Sequence, residues 1–200
     1  MSEPYEIIIS PATLYLAPVG EAFPDVDTTP AGNWVALGSH GTFDMDESGV
    51  TLTNGQTLNV KRTLGSTGGA KVSRTEESLT VSAVIVDFTA EQYAKVLNGV
   101  TVVDTAAGVG TPGYRRITLR QGRDVTLYAL LVRFASPYAD AMASQYCIPV
   151  VYQSDSPAPV FNKSDMASLK CTWDALEDPN AATEAERFGY LDEQDADALP

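Results

Sequence analysis

The segment RTEESLTVSAVIVDFTAEQYAKVLNG, Arg74 to Gly99, constrains the fold more than any other part of the chain: it is a long alternating strand that runs into one short helix. Leu79, Val81, Ala83 and Ile85 fall on one face, and Ser78, Thr80 and Ser82 on the other. A period of two with this division requires a sheet with one buried and one polar side. The spacing then predicts a helix over 89–98. Thr89 is placed to cap it, Gln92 is its box partner three residues on, and Phe88 and Tyr93 occupy the two staple positions. Asn98 and Gly99 stop it, with Gly99 free to take the left-handed conformation. Further strands are expected at 12–17, 33–37, 49–54, 57–63, 76–86, 100–103, 114–119, 125–135, 144–152 and 167–176, with loops punctuated by Pro and Gly. A β-rich chain with one flanking helix and no visible chemistry points to a structural or binding module rather than an enzyme.

The 200 residues, 44% of them hydrophobic, suit one domain with a proper core. No apolar run approaches the roughly 18 residues that a membrane span needs, so no membrane anchor is expected. The first ten residues, MSEPYEIIIS, carry two acids and no base, which is not the pattern of an export signal. Without one, Cys147 and Cys171, both in strand-like runs, read as reduced core residues.

The net charge of −13 is unevenly spread. Residues 177–200 hold eight acids against Arg187 alone, and residues 21–49 hold six acids and no Lys or Arg. Residues 60–75 hold Lys61, Arg62, Lys71 and Arg74 and no acid, and 113–133 hold five bases against Asp124. Each run alone suits a solvated face. Segregated blocks of both signs on one chain also suit head-to-tail self-association. The overall acidity argues against an ordinary nucleic-acid-binding surface.

The motifs that carry chemistry fail in context. Gly108 to Gly113 (GVGTPG) has the spacing of a dinucleotide-binding loop, but Pro112 intervenes and a strand-like run follows, where a helix N-terminus must hold the pyrophosphate. Gly65 to Lys71 (GSTGGAK) is close to a phosphate-binding loop, yet Ala70 replaces the required Gly and Val72 the required hydroxyl. Asp44 to Gly49 (DMDESG) opens like a calcium loop, but its twelfth position is Gly55 rather than a bidentate Glu. His40 is the only histidine and reads as an exposed loop residue; the two cysteines have no companion ligands for zinc. Asn162 to Ser164 matches a glycosylation sequon. No catalytic residue, metal ligand or cofactor is expected.

Four segments carry a resemblance: TLYLAPVGEAFPDVDTTPAGNWVALG, the Arg74–Gly99 segment above, YALLVRFASPY, and TWDALEDPNAATEAERFG. In order and texture the chain resembles the tail tube (major tail) proteins of long-tailed bacteriophages. The resemblance implies a mainly β fold, a β-sandwich or half-barrel with one flanking α-helix and extended loops or arms. It implies a virion structural protein, assembled in the host cytoplasm, whose hexameric rings stack into a conduit for genome passage. Its partners are then further copies of itself and other tail proteins (initiator, terminator, tape measure), while DNA passes without specific binding. On this reading residues 1–176 form the tube domain, with an N-terminal arm at 1–11 and a mobile basic loop at 60–75, and 177–200 form an acidic arm. The subunit interface is expected at Lys61, Arg62, Lys71, Arg74, Phe188, Tyr190 and Leu191, with 177–191 docking on a neighbour and 192–200 solvated. The lumen face is expected at Glu76, Ser78, Thr80, Ser82 and Asp174. The strongest strand offers that face only Ser and Thr along its middle, so lumen charge must come from Glu76, Asp174 or the 44–47 loop. Two alternatives stay open: a related ring-forming tube or tail-completion protein, and a monomeric β-barrel that binds a small ligand.

Overall fold

The alternating segment forms the strand that organises the molecule, β4 (Lys71–Ile85). The computed structural model describes residues 10–139, 141–161 and 166–196, together with Ile8 and Lys163. Among these the protein is mainly β, with one α-helix and antiparallel pairing throughout. The main sheet has eight strands. In addition to β4 they are β1 (Thr13–Pro18), β2 (Val35–Ala36), β3 (Met45–Lys61), β7 (Leu127–Ala135), β8 (Ala143–Gln153), β9 (Leu169–Ala175) and β10 (Tyr190–Glu193). Their order is β2-β1-β7-β8-β9-β4-β3, and β10 lies off this path on β8. A separate hairpin pairs β5 (Val102–Thr105) with β6 (Tyr114–Ile117).

One seam shapes the sheet. β8 and β9 share only the pairs Val151–Ala175, Tyr152–Asp174 and Gln153–Trp173. β9 ends there, so the first half of β8 loses its neighbour on that edge. β10 takes the vacant length, pairing Tyr190 with Cys147 through to Glu193 with Ser144. An unpaired edge inside a sheet would leave backbone donors and acceptors unsatisfied, and the four residues of β10 supply them.

Alternation sorts the core. Leu14 and Leu16 of β1, Leu130 and Val132 of β7, Ile148 and Val151 of β8, Val81, Ala83 and Ile85 of β4, and Leu169, Cys171 and Trp173 of β9 form one buried cluster. The helix α1 (Ala90–Val96) adds Val96 to it, and Phe88 and Tyr93 pack against it as a staple with ring centroids 5.2 Å apart. Opposite side chains of the same strands, Ala17, Ala129, Leu131 and Cys147, make a second cluster under Trp34 and Phe23. The acidic stretch that begins at Glu21 is therefore not a free loop at its start. Gln145 Nε2 donates to Pro24 O at 2.7 Å, and Arg133 donates to Val26 O at 2.9 Å and Thr28 O at 2.6 Å, which ties it to the outer face of β7 and β8. Both cysteines are buried, and burial pushes each thiol up to about 12.

Several expectations are corrected. The strands expected at 49–54 and 57–63 are one strand, β3, which absorbs the irregularity through register shifts after Met45 and after Thr57. Gly55 is no break: it pairs with Ser78, whose Oγ would have to turn aside for a Cβ there. The helix spans Ala90–Val96 within the expected 89–98, with Thr89 Oγ1 accepting from Gln92 N at 3.4 Å. Gln92 does not complete a capping box. Its side chain accepts from Lys95 Nζ, and Asp87 accepts from Thr89 N at 3.2 Å instead. Burial works against the charge on Asp87, but hydrogen bonds from Ser39 and Thr89 outweigh it and hold the carboxyl low. After 177 the chain forms a single turn of 3-10 helix, Glu184–Glu186, and the stretch expected to be an arm contributes β10 to the sheet. Most of the expected N-terminal arm, and Asn162 and Ser164 of the sequon, lie outside the described residues.

Candidate functional site

Two surfaces of the β3–β4 pair collect most of the residues singled out by sequence. The first is the polar face. Register places Thr51 opposite Ser82, Thr53 opposite Thr80, Gly55 opposite Ser78 and Thr57 opposite Glu76, and β9 continues the face by setting Asp174 against Thr80 and Thr172 against Ser82. Glu76, Ser78, Thr80, Ser82 and Asp174 therefore share one face. Hydrogen bonds fix it: Thr80 Oγ1 donates to Asp174 Oδ1 at 2.7 Å, and Thr57 Oγ1 to Glu76 Oε2 at 3.2 Å. Further along, Lys170 Nζ sits 3.0 Å from Asp155 Oδ2, and its hydrogen bond holds that carboxyl below the usual range. The cation is thus neutralised on the spot. Of the acids of 44–47, around the far end of β3, two turn to local partners: Asp44 to His40, and Asp46 to Ser48 N at 2.9 Å.

The second surface is a ribbon. β9 covers β4 only from Thr80 to Ile85. Beyond that point β3 and β4 pair with each other alone, out to Lys61 opposite Lys71, and almost every residue is exposed. From Gly55 to Lys61 this ribbon runs for about 20 Å. The expected interface cations divide here. Arg74 has partners on the ribbon, Glu77 Oε2 at 3.0 Å and Gln56 Oε1 at 3.2 Å. Lys61, Arg62 and Lys71 make no ion pair among the described residues.

Of the expected interface residues beyond 177, Phe188 and Leu191 sit at the ribbon's base. Phe188 lines a cleft of about 300 Å³ with Gln56, Arg74, Glu77 and Leu79. Leu191 lines an adjoining one of about 200 Å³ with Leu52, Tyr146 and Ile148. Tyr190 points to the opposite side of β10, edge-on to Phe23 at 6.0 Å, and burial pushes its hydroxyl up to about 12. Tyr190 and Leu191 are each 41% exposed, so both still present surface to solvent. The expected division between a docking arm at 177–191 and a solvated end at 192–200 falls inside β10 and therefore does not match the structural boundary.

Sequence reasoning missed Phe23, Trp34, Gly189 and Asp192. Gly189 is the legible one. Its φ of +111° and the nearness of Cys147 O exclude any side chain, so the turn into β10 requires glycine. Asp192 stands on β10 where partial burial raises its carboxyl. Among the described residues no group of His, Cys, Asp and Glu is arranged to hold a metal ion.

No protein-family model matches the chain, and no curated protein matches it.

Proposed function

We propose that this chain is the structural subunit of a long-tailed phage tail tube, forming rings that stack into a conduit for the genome. One observation carries the reading: β3 and β4 outrun the core they belong to. In its β9-β4-β3 part the sheet is apolar on one side, hydroxyl-lined on the other and extended into a bare ribbon, more surface than one subunit can use. The eight-stranded antiparallel sheet with one helix against its inner face is consistent with the half-barrel the resemblance implies. On this reading the lumen wall is the face of Thr51, Thr53, Ser78, Thr80, Ser82 and Asp174. Such a wall offers phosphates few cations, and Lys170 there is already held by Asp155. Because phosphate contacts dominate non-specific binding, a duplex slides along it without sticking. The ribbon, with Lys61, Arg62 and Lys71, supplies contacts between subunits.

Sedimentation of concentrated protein, alone and with a tail initiator complex, followed by negative-stain microscopy, tests the reading. Hollow tubes of indefinite length are expected. Assembly that stops at one ring would point to a completion protein, and a monomer under both conditions would refute the proposal.

A further inference from the structure

Lys61 and Lys71 stand directly opposite each other at the last rung of the ribbon, and Arg62 follows in the chain. Like charges directly opposite on adjacent strands destabilise the pair, and no acid among the described residues relieves these three through an ion pair. The other face of the same ribbon exposes Leu58, Val60 and Val72 at 50%, 43% and 58%. Repulsion on one face and bare apolar area on the other both disfavour the ribbon as a solvated element. Both would be relieved by a surface that is acidic and partly apolar.

The molecule carries such a surface on another side. A groove of about 420 Å³ runs between the 23–27 segment and β10. Phe23, Pro24 and Val26 give it apolar lining, and Asp25, Asp27 and Asp192 give it charge. None of these three acids is in an ion pair among the described residues. The ribbon cannot fold back into its own groove. Leu191 lines the cleft at the ribbon's base, and alternation along β10 turns Tyr190 and Asp192 to the opposite face. The β8–β10 layer thus separates a chain's groove from its own ribbon.

We propose that the ribbon tip of one copy docks in the 23–27/β10 groove of a second copy. Lys61, Arg62 and Lys71 meet Asp25, Asp27 and Asp192, while Val60 and Val72 meet Phe23, Pro24 and Val26. Because ribbon and groove are different surfaces, the contact is heterologous and propagates from copy to copy. The inference rests on the tube reading and names the partner surface of its ribbon. A nucleic acid is the competing occupant of three unpaired cations, but a chain of net charge −13 repels it.

Two charge-reversed full-length variants test the docking, each first checked for the parent's circular dichroism and melting temperature. K61E/K71E reverses the ribbon and D25K/D27K reverses the groove; if the latter melts early, D27K alone replaces it. In sedimentation velocity under conditions where the parent assembles, each variant alone is expected to lose the assembled species. An equimolar mixture is expected to recover it, because each variant's ribbon then matches the other's groove. Assembly of either variant alone, or failure of the mixture to assemble, overturns the docking while leaving the tube reading in place. Absence of assembly in the parent itself removes both. Binding of a short DNA duplex by the parent that is lost in K61E/K71E, with assembly intact, overturns the docking in favour of nucleic acid.

Discussion

The two halves of β4 share one alternation and meet opposite environments. From Leu79 to Ile85 the apolar positions enter the main core, and Val81, Ala83 and Ile85 are buried. From Lys71 to Ser78 the strand has only β3 beside it, and its apolar residue, Val72, is bare. The local pattern is equally strand-forming in both halves. What differs is the neighbour: β9 reaches Thr80 and stops. Periodicity thus specifies a strand and its two faces, but burial depends on how far the adjacent strand extends. Two strands without further support are marginal in water, so the outer half is held by continuity with the inner half and, on the reading above, by another subunit.

Truncation of matched apolar side chains separates the two halves of β4. Ile85→Ala is expected to cost about 2–5 kcal/mol in chemical denaturation, as for other buried aliphatics. Val72→Ala is expected to stay within about 0.5 kcal/mol, as for an exposed site, yet to weaken assembly. Similar costs for the two would show that the ribbon is packed in the free subunit. Next in size is Gly189→Ala. A Cβ there meets Cys147 O at a positive φ, a strain of order 1–3 kcal/mol. It is expected to release β10 and speed hydrogen exchange on the first half of β8; unchanged exchange would contradict the pairing of β10.

Much of the body was legible because its residues alternate over long stretches. β7 and β9 lie within their expected bounds, and Thr89, Phe88 and Tyr93 mark the helix start as read, whereas β4 begins at Lys71, inside the stretch expected to be a mobile loop. β10 was not legible. Its four residues, Tyr190 to Glu193, are too short for periodicity to register and sit in an acidic context, and the reason they form a strand is the vacancy that β9 leaves on β8. The cover of Phe23 and Trp34 was hidden for a similar reason: both sides of β1 and β7 are buried, and nothing local shows which distant loop closes the second one. For the candidate surface, alternation gave the shared face of Ser78, Thr80 and Ser82, and the register sets the expected Asp174 beside Thr80. The cations at 60–75 were visible as a block, but not that Arg74 has Glu77 and Gln56 while Lys61 faces Lys71.

Two smaller effects sharpen the contrast. Thr89→Ala is expected to cost about 1 kcal/mol through loss of the helix cap, a body effect that leaves assembly of the folded protein unchanged; melting and sedimentation check it together. Lys71→Glu is expected to do the reverse. By replacing a like-charge rung with an opposite pair against Lys61 it stabilises the ribbon by about 0.2–1 kcal/mol, while assembly declines. A variant that gains stability and still assembles as the parent does would detach the ribbon charges from the interface.

Hydrogen exchange on β4, compared between free and assembled protein, separates its two halves. Slow exchange is expected from Val81 to Ile85 in both states, with fast exchange from Lys71 to Ser78 in the free subunit that becomes slow on assembly. Ribbon amides that exchange equally fast in the assembled state would contradict this.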